Sequence, residues 1–476
     1  MSFTHALKWS FLSELAAKAI SPIVFVVLAR LLTPEDFGVM SSAMMVMSFS
    51  QIFWDAGMGK ALIQRQTDTD EAANVAFWIN MSLGVIIASL LFVAARTIAF
   101  TFFHDERVTA VIQVMTMQVF LGAVASVHTA LLQKEMGFKK LFWVRFATVS
   151  LPGMASIPLA LNGMGYWALV AGSLVGQAAQ VIMLWNMSSW RPTFAFHLQV
   201  AKEMGRFGAW VGVYGLLAWF YTWADSLIVG MYLGSHDLGL YRTGNQVVVM
   251  IFAIMFAPIT AVLYSHLARI GHDKQRLREA AEKVIKTLTF IAIPVAMVFF
   301  SLANPFANIF FGEKWTGIGL VIGVMALMHG FSWVVGMNGE FYRAMGKPSY
   351  ETIVTAITLS FYLAAFLYSI QFGFATFIWT RFWLAVVALL LHLMVIKKLL
   401  LVAILPIATY LLRISIFSGF AVYLIQHILM NNISGSWAQF FLGSVLGVGF
   451  LFLLLFFVER NGILKEIILI LKKRSA

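Results

Sequence analysis

The chain has 476 residues, 61% of them hydrophobic and 11% charged, with a formal net charge of +12 and a mean hydropathy of +0.86. Soluble domains carry about 25% charged residues, so this composition excludes a soluble globular class and makes lipid the solvent. Lys and Arg border apolar stretches, which accounts for the positive balance without a nucleic-acid partner, and the absence of Cys excludes disulfides, zinc–thiolate sites and iron–sulfur clusters.

Apolar stretches long enough to cross a bilayer, about 20 residues each, centre near Pro22, Val46, Ile87, Val119, Ser150, Val175, Leu217, Phe252, Ile293, Met325, Ile357, Ala388, Ile416 and Val448. The expected fold class is therefore all-α, a polytopic membrane protein of about 14 transmembrane helices. Met1 to Trp9 lacks a cleavable signal pattern, so the first stretch is expected to be a retained span. Basic residues cluster in alternate connections: Lys60 and Arg65 after the second span, Lys134, Lys139 and Lys140 after the fourth, Arg191, Lys202 and Arg206 after the sixth. The same holds for Arg269 to Lys286, for Arg343 and Lys347, and for Lys397 and Lys398, whereas the other connections carry only Arg107 and Lys314. Because Lys and Arg stay on the cytoplasmic side during insertion, both termini are expected there. Exterior connections such as Thr33-Pro-Glu-Asp36 and Asn431-Asn432 are too short to form a domain, so chemistry is confined to the bilayer and its faces. The stretch Arg269 to Lys286 reads as a charged helical link between the eighth and ninth spans.

Leu32-Thr-Pro-Glu-Asp36-Phe-Gly38-Val-Met40 aligns with Leu233-Gly-Ser-His-Asp237-Leu-Gly239-Leu-Tyr241, an offset that also pairs Trp9 with Trp210. The first turn joins spans one and two, the second spans seven and eight. An even number of spans separates them, so the repeat is parallel and related by an axis along the membrane normal. Two pseudo-symmetric six-helix lobes are expected, at residues 1–190 and 200–399, followed by two C-terminal helices and a basic tail at 400–476. Paired lobes with a site between them are a usual construction of alternating-access transporters.

Six ordered segments carry a family resemblance: Ala29-Arg-Leu-Leu-Thr-Pro-Glu-Asp-Phe-Gly38, Asp55-Ala-Gly57 with Ala61-Leu-Ile-Gln-Arg65, Gln133-Lys-Glu-Met-Gly-Phe138, Arg206-Phe-Gly-Ala-Trp210, Pro258 with Leu263-Tyr-Ser-His-Leu-Ala-Arg269, and Phe311-Gly-Glu-Lys-Trp315. Through them the chain resembles the Wzx-type polysaccharide-export flippases of the multidrug/oligosaccharidyl-lipid/polysaccharide superfamily, in the branch of colanic-acid exporters and lipopolysaccharide biosynthesis. The resemblance fades from about Ser349 onward. It implies a non-enzymatic flippase of a bacterial inner membrane that moves an undecaprenyl-diphosphate-linked repeat unit of O-antigen or exopolysaccharide to the periplasmic leaflet. Its implied partners are membrane lipid, that glycan lipid, and the polymerase and export machinery of the same pathway. No cofactor is expected beyond a proton or sodium gradient, and no metal site.

Such a substrate must take a diphosphate and sugars across roughly 30 Å of hydrocarbon, which calls for cations against phosphate and for amide or aromatic groups against sugar. Lys18, Arg30, Arg96, Arg145, Arg242, Arg381 and Arg413 fall within spans. Each costs about 2.5–3.5 kcal/mol at the bilayer centre and so needs a reason. Lys18 follows Glu14 by four residues, on one helix face. Arg242 opens the eighth span beside Asn245 and Gln246, and Arg381 is flanked by Trp379 and Trp383. Lys18, Arg242, Arg381, Glu14, Asn245 and Gln246 are the substrate-cavity candidates, and Asp225 and Asp55 the coupling-ion candidates. Two rival functions have different signatures. A drug or small-cation exporter of the same superfamily calls for an acidic cavity, and a membrane polymerase or ligase of lipid-linked sugars calls for a large periplasmic loop.

Overall fold

The computed structural model describes residues 20–458 apart from 56, 66 and 348. Every described element is helical. The chain divides into two compact units, up to Arg242 and from Thr243. In the first lie α1 (Ile20–Leu31), α2 (Pro34–Asp55), α3 (Met58–Gln64), α4 (Thr69–Ile98), α5 (Glu106–Lys134), α6 (Phe138–Leu161) and α7 (Tyr166–Met187). The long α8 (Leu198–Ile270) kinks at Gly234, whose φ of +84° only glycine adopts readily, and thereby supplies two spans. The second unit continues with α9 (Lys274–Phe310), α10 (Ile318–Val334), α11 (Asn338–Ala344), α12 (Ser349–Ser369), α13 (Phe374–Leu400), α14 (Ile404–Leu424) and α15 (Ser436–Val458). Twelve helices among the described residues are long and apolar enough to cross a membrane. With the kinked α8 counted as two spans and α1 added, all fourteen sequence centres fall on helices.

Helices form because lipid offers the backbone no hydrogen-bond partners, so every peptide group must be satisfied within its own segment. Pro152 and Pro158 lie inside α6, and Pro294 and Pro305 inside α9, without ending either helix. The charged stretch from Arg269 to Lys286 is not a separate linking helix. Only residues 271–273 interrupt the path from α8 to α9, and Asp273 caps α9 by accepting from the amides of Gln275 and Arg276 at 3.0 Å each. Most of those charges therefore stand on the first turns of α9.

The two ends of the helices differ in the way the charge alternation requires. At one end of the first unit, connections one, three, five and seven meet: Asp36 Oδ1 accepts from the Tyr166 amide at 2.8 Å, and Ser235 Oγ donates to Asp105 Oδ2 at 2.6 Å. At the other end the basic connections meet. Lys134 Nζ donates to the Arg65 carbonyl at 2.6 Å and to Thr69 Oγ1 at 2.8 Å, Arg65 pairs with Glu203 at 3.0 Å, and Lys140 Nζ donates to the Met187 carbonyl at 2.6 Å.

Packing within each unit follows one plan. In the first, α4 packs on α5, α5 on α7, and α6 on α7; in the second, α9 packs on α10, α10 on α13, and α12 on α13. In span order these are third on fourth, fourth on sixth and fifth on sixth, repeated six spans later. The additional pair, α14 and α15, lies against α9.

The duplicated turn is visible as a reciprocal clasp within the first unit. A Cβ on Gly38 would collide with the Ser235 carbonyl, and a Cβ on Gly239 would collide with the Pro34 carbonyl. Glu35 and His236, separated by 201 residues, join side chain to side chain at 2.6 Å. Each contact is the other's counterpart under the repeat offset, so the two turns face one another across a local two-fold axis. Asp105, in the connection beside them, is pushed up by burial, but hydrogen bonds from Arg107 and Ser235 and the Arg107 charge outweigh this and hold its carboxyl below the usual range.

Candidate functional site

Glu14 and Lys18 lie outside the described residues. Arg242 rests on an aromatic face, its Cζ 3.9 Å from the Trp223 ring centroid. One residue earlier, the Tyr241 hydroxyl donates to Asp225 Oδ2 at 2.7 Å, while the Ser226 amide and hydroxyl donate to Asp225 Oδ1 at 2.6 and 3.1 Å. Asp225 is 5% exposed, and these three hydrogen bonds help make a buried carboxylate tolerable. Asp225, Tyr241, Arg242 and Trp223 thus tie the seventh span to the start of the eighth across the Gly234 kink.

In the second unit, Asn245 Oδ1 lies 3.2 Å from His329 Nε2 of α10. Arg381 of α13 is seated against two rings of α12, 5.9 Å from Tyr362 and 5.6 Å from Phe366, close enough for its charge to act on His329. Residues of the eighth, tenth and twelfth spans therefore converge around His329, with Gln246 half-buried beside Asn245. The other span histidines are packing groups. His392 meets the Tyr342 hydroxyl at 3.2 Å, and His128 lies against Trp185 and Trp190 with neither ring nitrogen hydrogen-bonded among the described residues. Glu340 and Arg343 form the expected pair at 2.6 Å.

A cavity of about 450 Å³ opens within the first unit, between α2, α3, α5 and α7. Five amides line it: Gln51, Gln118, Gln133, Gln177 and Gln180. None of their side chains makes a hydrogen bond among the described residues. Among the described residues, Asp55 is the one sequence candidate in this cavity. It ends α2, where Asn80, bound through its amide oxygen to Ser126 Oγ at 2.9 Å, presents its nitrogen to the Trp54 and Asp55 carbonyls at 3.1 and 3.3 Å. Gly57, at φ +67°, then redirects the chain into α3, which brings Lys60 to the same cavity. Asp55 and Lys60 make no ion pair with each other. Trp54 closes one wall by packing on Gly122, where a Cβ would collide with the indole.

An uncharged amide costs a span far less than a charge and stands out less, so none of the five glutamines is among the sequence's site candidates. A signal was available: Gln177 and Gln180 are three residues apart in an otherwise apolar span, hence on one helix face, and Gln118 interrupts the apolar run of the fourth span.

The signature of the polysaccharide biosynthesis protein family matches residues 27–320. This chain belongs to that family. Among relatives of this polysaccharide biosynthesis protein, the succinoglycan biosynthesis transport protein ExoT of Rhizobium meliloti is 28% identical over 69% of this chain and 66% of ExoT, so the match spans just under two thirds of that relative. The teichuronic acid biosynthesis protein TuaB of Bacillus subtilis is 24% identical over 71% of each chain, and the lipopolysaccharide biosynthesis protein WzxC of Escherichia coli 24% identical over 72% of this chain and 67% of WzxC. In fold, the family member is similar to the lipid II flippase MurJ, with a TM-score of 0.75 and 12% identity over 94% of this chain and 97% of MurJ. It is also similar to an inward-facing multidrug resistance MATE transporter of the MOP superfamily, with a TM-score of 0.61 and 15% identity over 80% and 95% of the two chains. At such identities these likenesses establish a shared fold.

Proposed function

We propose that this polysaccharide biosynthesis protein is a flippase. It carries an undecaprenyl-diphosphate-linked oligosaccharide from the cytoplasmic to the periplasmic leaflet of a bacterial inner membrane by alternating access, without covalent chemistry. The observation that carries this reading is the family signature over residues 27–320 of a chain whose described residues form membrane-length helices joined by short connections. The names of ExoT and WzxC place those relatives in polysaccharide transport and lipopolysaccharide biosynthesis. The MATE likeness, being one of fold alone, gives the drug-exporter reading no independent support.

In this reading the basic connections face the cytoplasm, as the positive-inside rule requires, and residues 1–190 and 200–399 form the two rocking lobes. Lys18, with Glu14 as its resting partner, and Arg242 and Arg381 neutralise the diphosphate, with Asn245 and Gln246 beside them. A guanidinium seated on an aromatic face keeps N–H donors in its plane that can make charge-assisted contacts to phosphate. Of the coupling candidates, Asp55 is better placed for a proton or sodium ion, because its carboxylate faces the amide cavity, whereas that of Asp225 already accepts three hydrogen bonds.

The test is reconstitution. Vesicles carrying the host's lipid-linked oligosaccharide in the inner leaflet should expose its glycan to an external lectin only when the protein is present. Unchanged lectin binding, or movement of a cationic drug in its place, would overturn the reading.

A further inference from the structure

We infer that the amide-lined cavity of the first unit is a glycan-recognition pocket that receives one or two neutral pyranose rings of the lipid-linked oligosaccharide. The inference rests on the flippase reading and gives it a place where sugar, as distinct from diphosphate, is read. Three helices contribute: Gln51 from α2, Gln118 and Gln133 from α5, and Gln177 and Gln180 from α7. Each amide offers two donors and an acceptor oxygen with two lone pairs. That is the complement of sugar hydroxyls, which donate and accept at once. All five are without a side-chain partner among the described residues, and Gln118 Oε1 is buried as well, an expensive condition for a polar atom unless something polar meets it there.

The remaining lining narrows the ligand class. Phosphate recognition draws on clustered Arg and Lys, but among the described residues the cavity holds only Lys60, and Asp55 offsets its charge. An organic cation would call for a net acidic wall, and among the described residues Asp55 is the one carboxylate lining the cavity, its charge offset by Lys60. A neutral, hydroxyl-bearing ligand fits this balance. Trp54, Met44 and Met47 supply apolar surface for the C–H faces of a sugar ring. The volume of about 450 Å³ lies within the ~300–1,000 Å³ of small-molecule pockets and corresponds to on the order of fifteen waters at about 30 Å³ each, the space of one or two pyranose rings.

The experiment uses the purified full chain in lipid nanodiscs and two probes: undecaprenyl diphosphate, and the lipid-linked oligosaccharide pool extracted from host cells deleted for this protein. Q177L/Q180L and, independently, Q51L/Q118L remove amides from different helices. Q113L is the control, since Gln113 donates to the Phe92 carbonyl and does not line the cavity. Wild type and Q113L should bind the glycan-bearing lipid about tenfold or more tightly than undecaprenyl diphosphate, because a site built to hydrogen-bond hydroxyls rejects a ligand lacking them. In both double variants that preference should fall to near unity while undecaprenyl diphosphate affinity stays within about twofold of wild type. Retention of the preference in both double variants overturns the inference. Loss of both lipids in both variants also overturns it, since the glutamines would then support the fold of the unit instead of reading sugar. Equal wild-type affinity for the two lipids removes the pocket and leaves the flippase reading standing, whereas wild-type binding of neither removes both.

Discussion

Arg242 draws its position from Trp223 at 3.9 Å, so the ring and the charge can be tested separately. Trp223→Leu should leave the protein inserted but weaken the seating of the guanidinium by about 0.5–2 kcal/mol, lowering export several-fold. Arg242→Ala should abolish export at normal abundance. Arg242→Lys should restore it only in part, because a point charge replaces a planar fork. Export and membrane protein level must be measured together, and an Arg242→Ala strain exporting normally would remove the residue from the site. Tyr241→Phe has a different expected outcome. It deletes a hydrogen bond to the buried Asp225 carboxylate, worth about 1.5–3 kcal/mol, and should lower the thermal midpoint of the purified protein more than it lowers transport. At this scale the sequence marked out Arg242, Arg381, Asp225 and Asp55, because a charge inside an apolar run is conspicuous and costly. It did not mark out Gln51, Gln118, Gln133, Gln177 or Gln180, since an amide carries no charge and a single one in a helix is common. Only the packing of α2, α5 and α7 shows that they share one cavity.

Among the elements, the clasp between residues 34–38 and 235–239 is open to direct chemical test because the natural chain has no Cys. Glu35→Cys with His236→Cys should be joined by a short thiol crosslinker, since the native side chains meet at 2.6 Å. If transport requires the two turns to part, crosslinking stops export and reduction of a cleavable linker restores it; undiminished export by the fully crosslinked protein would show that the clasp stays shut throughout the cycle. Gly38→Ala should reduce protein abundance, because a methyl there meets a backbone carbonyl that cannot rotate away, and overpacking of this kind costs about 1–3 kcal/mol. Asp105 sets a pH window for the same end. Its folded carboxyl titrates below the usual range, so the support it lends through Ser235 is fully present above about pH 4 and lost as pH falls through the lower folded value. The difference in thermal midpoint between the natural protein and Asp105→Ala should therefore be flat through neutral pH and shrink only in strong acid. The repeat was legible as a turn motif, Asp-x-Gly at matching positions. The physical reason for its glycines was not, because it is a contact between the two copies, some 200 residues apart. The stretch Arg269 to Lys286 shows a related limit. Its charges mark the break between two spans, but charge alone cannot separate a linking helix from the first turns of α9.

For the whole molecule, the span pattern follows from composition, since lipid admits little besides apolar helices, and the expected sidedness from the retention of Lys and Arg on one side. Reporter fusions after Asp36 and after Lys140 should therefore read opposite sides of the membrane, with the latter cytoplasmic. Identical readings would end this topology. What composition could not supply is how each unit packs inside, because periodicity says which residues are apolar but not which helix they meet. The repeated scheme of α4, α5, α6 and α7 in α9, α10, α12 and α13 emerges only from coordinates. The reciprocal clasp carries a further meaning. A contact in which one residue meets a second, while their counterparts meet in the same way, is the signature of an isologous interface. A six-span ancestor pairing with a second copy of itself would have formed both halves of the contact from a single gene, with one glycine serving at both positions. In one chain the two copies are free to differ, and Glu35 facing His236 uses that freedom: a carboxylate meets an imidazole at 2.6 Å, where two glutamates would repel. Making the two positions identical as His236→Glu should therefore weaken the clasp by setting two carboxylates against each other.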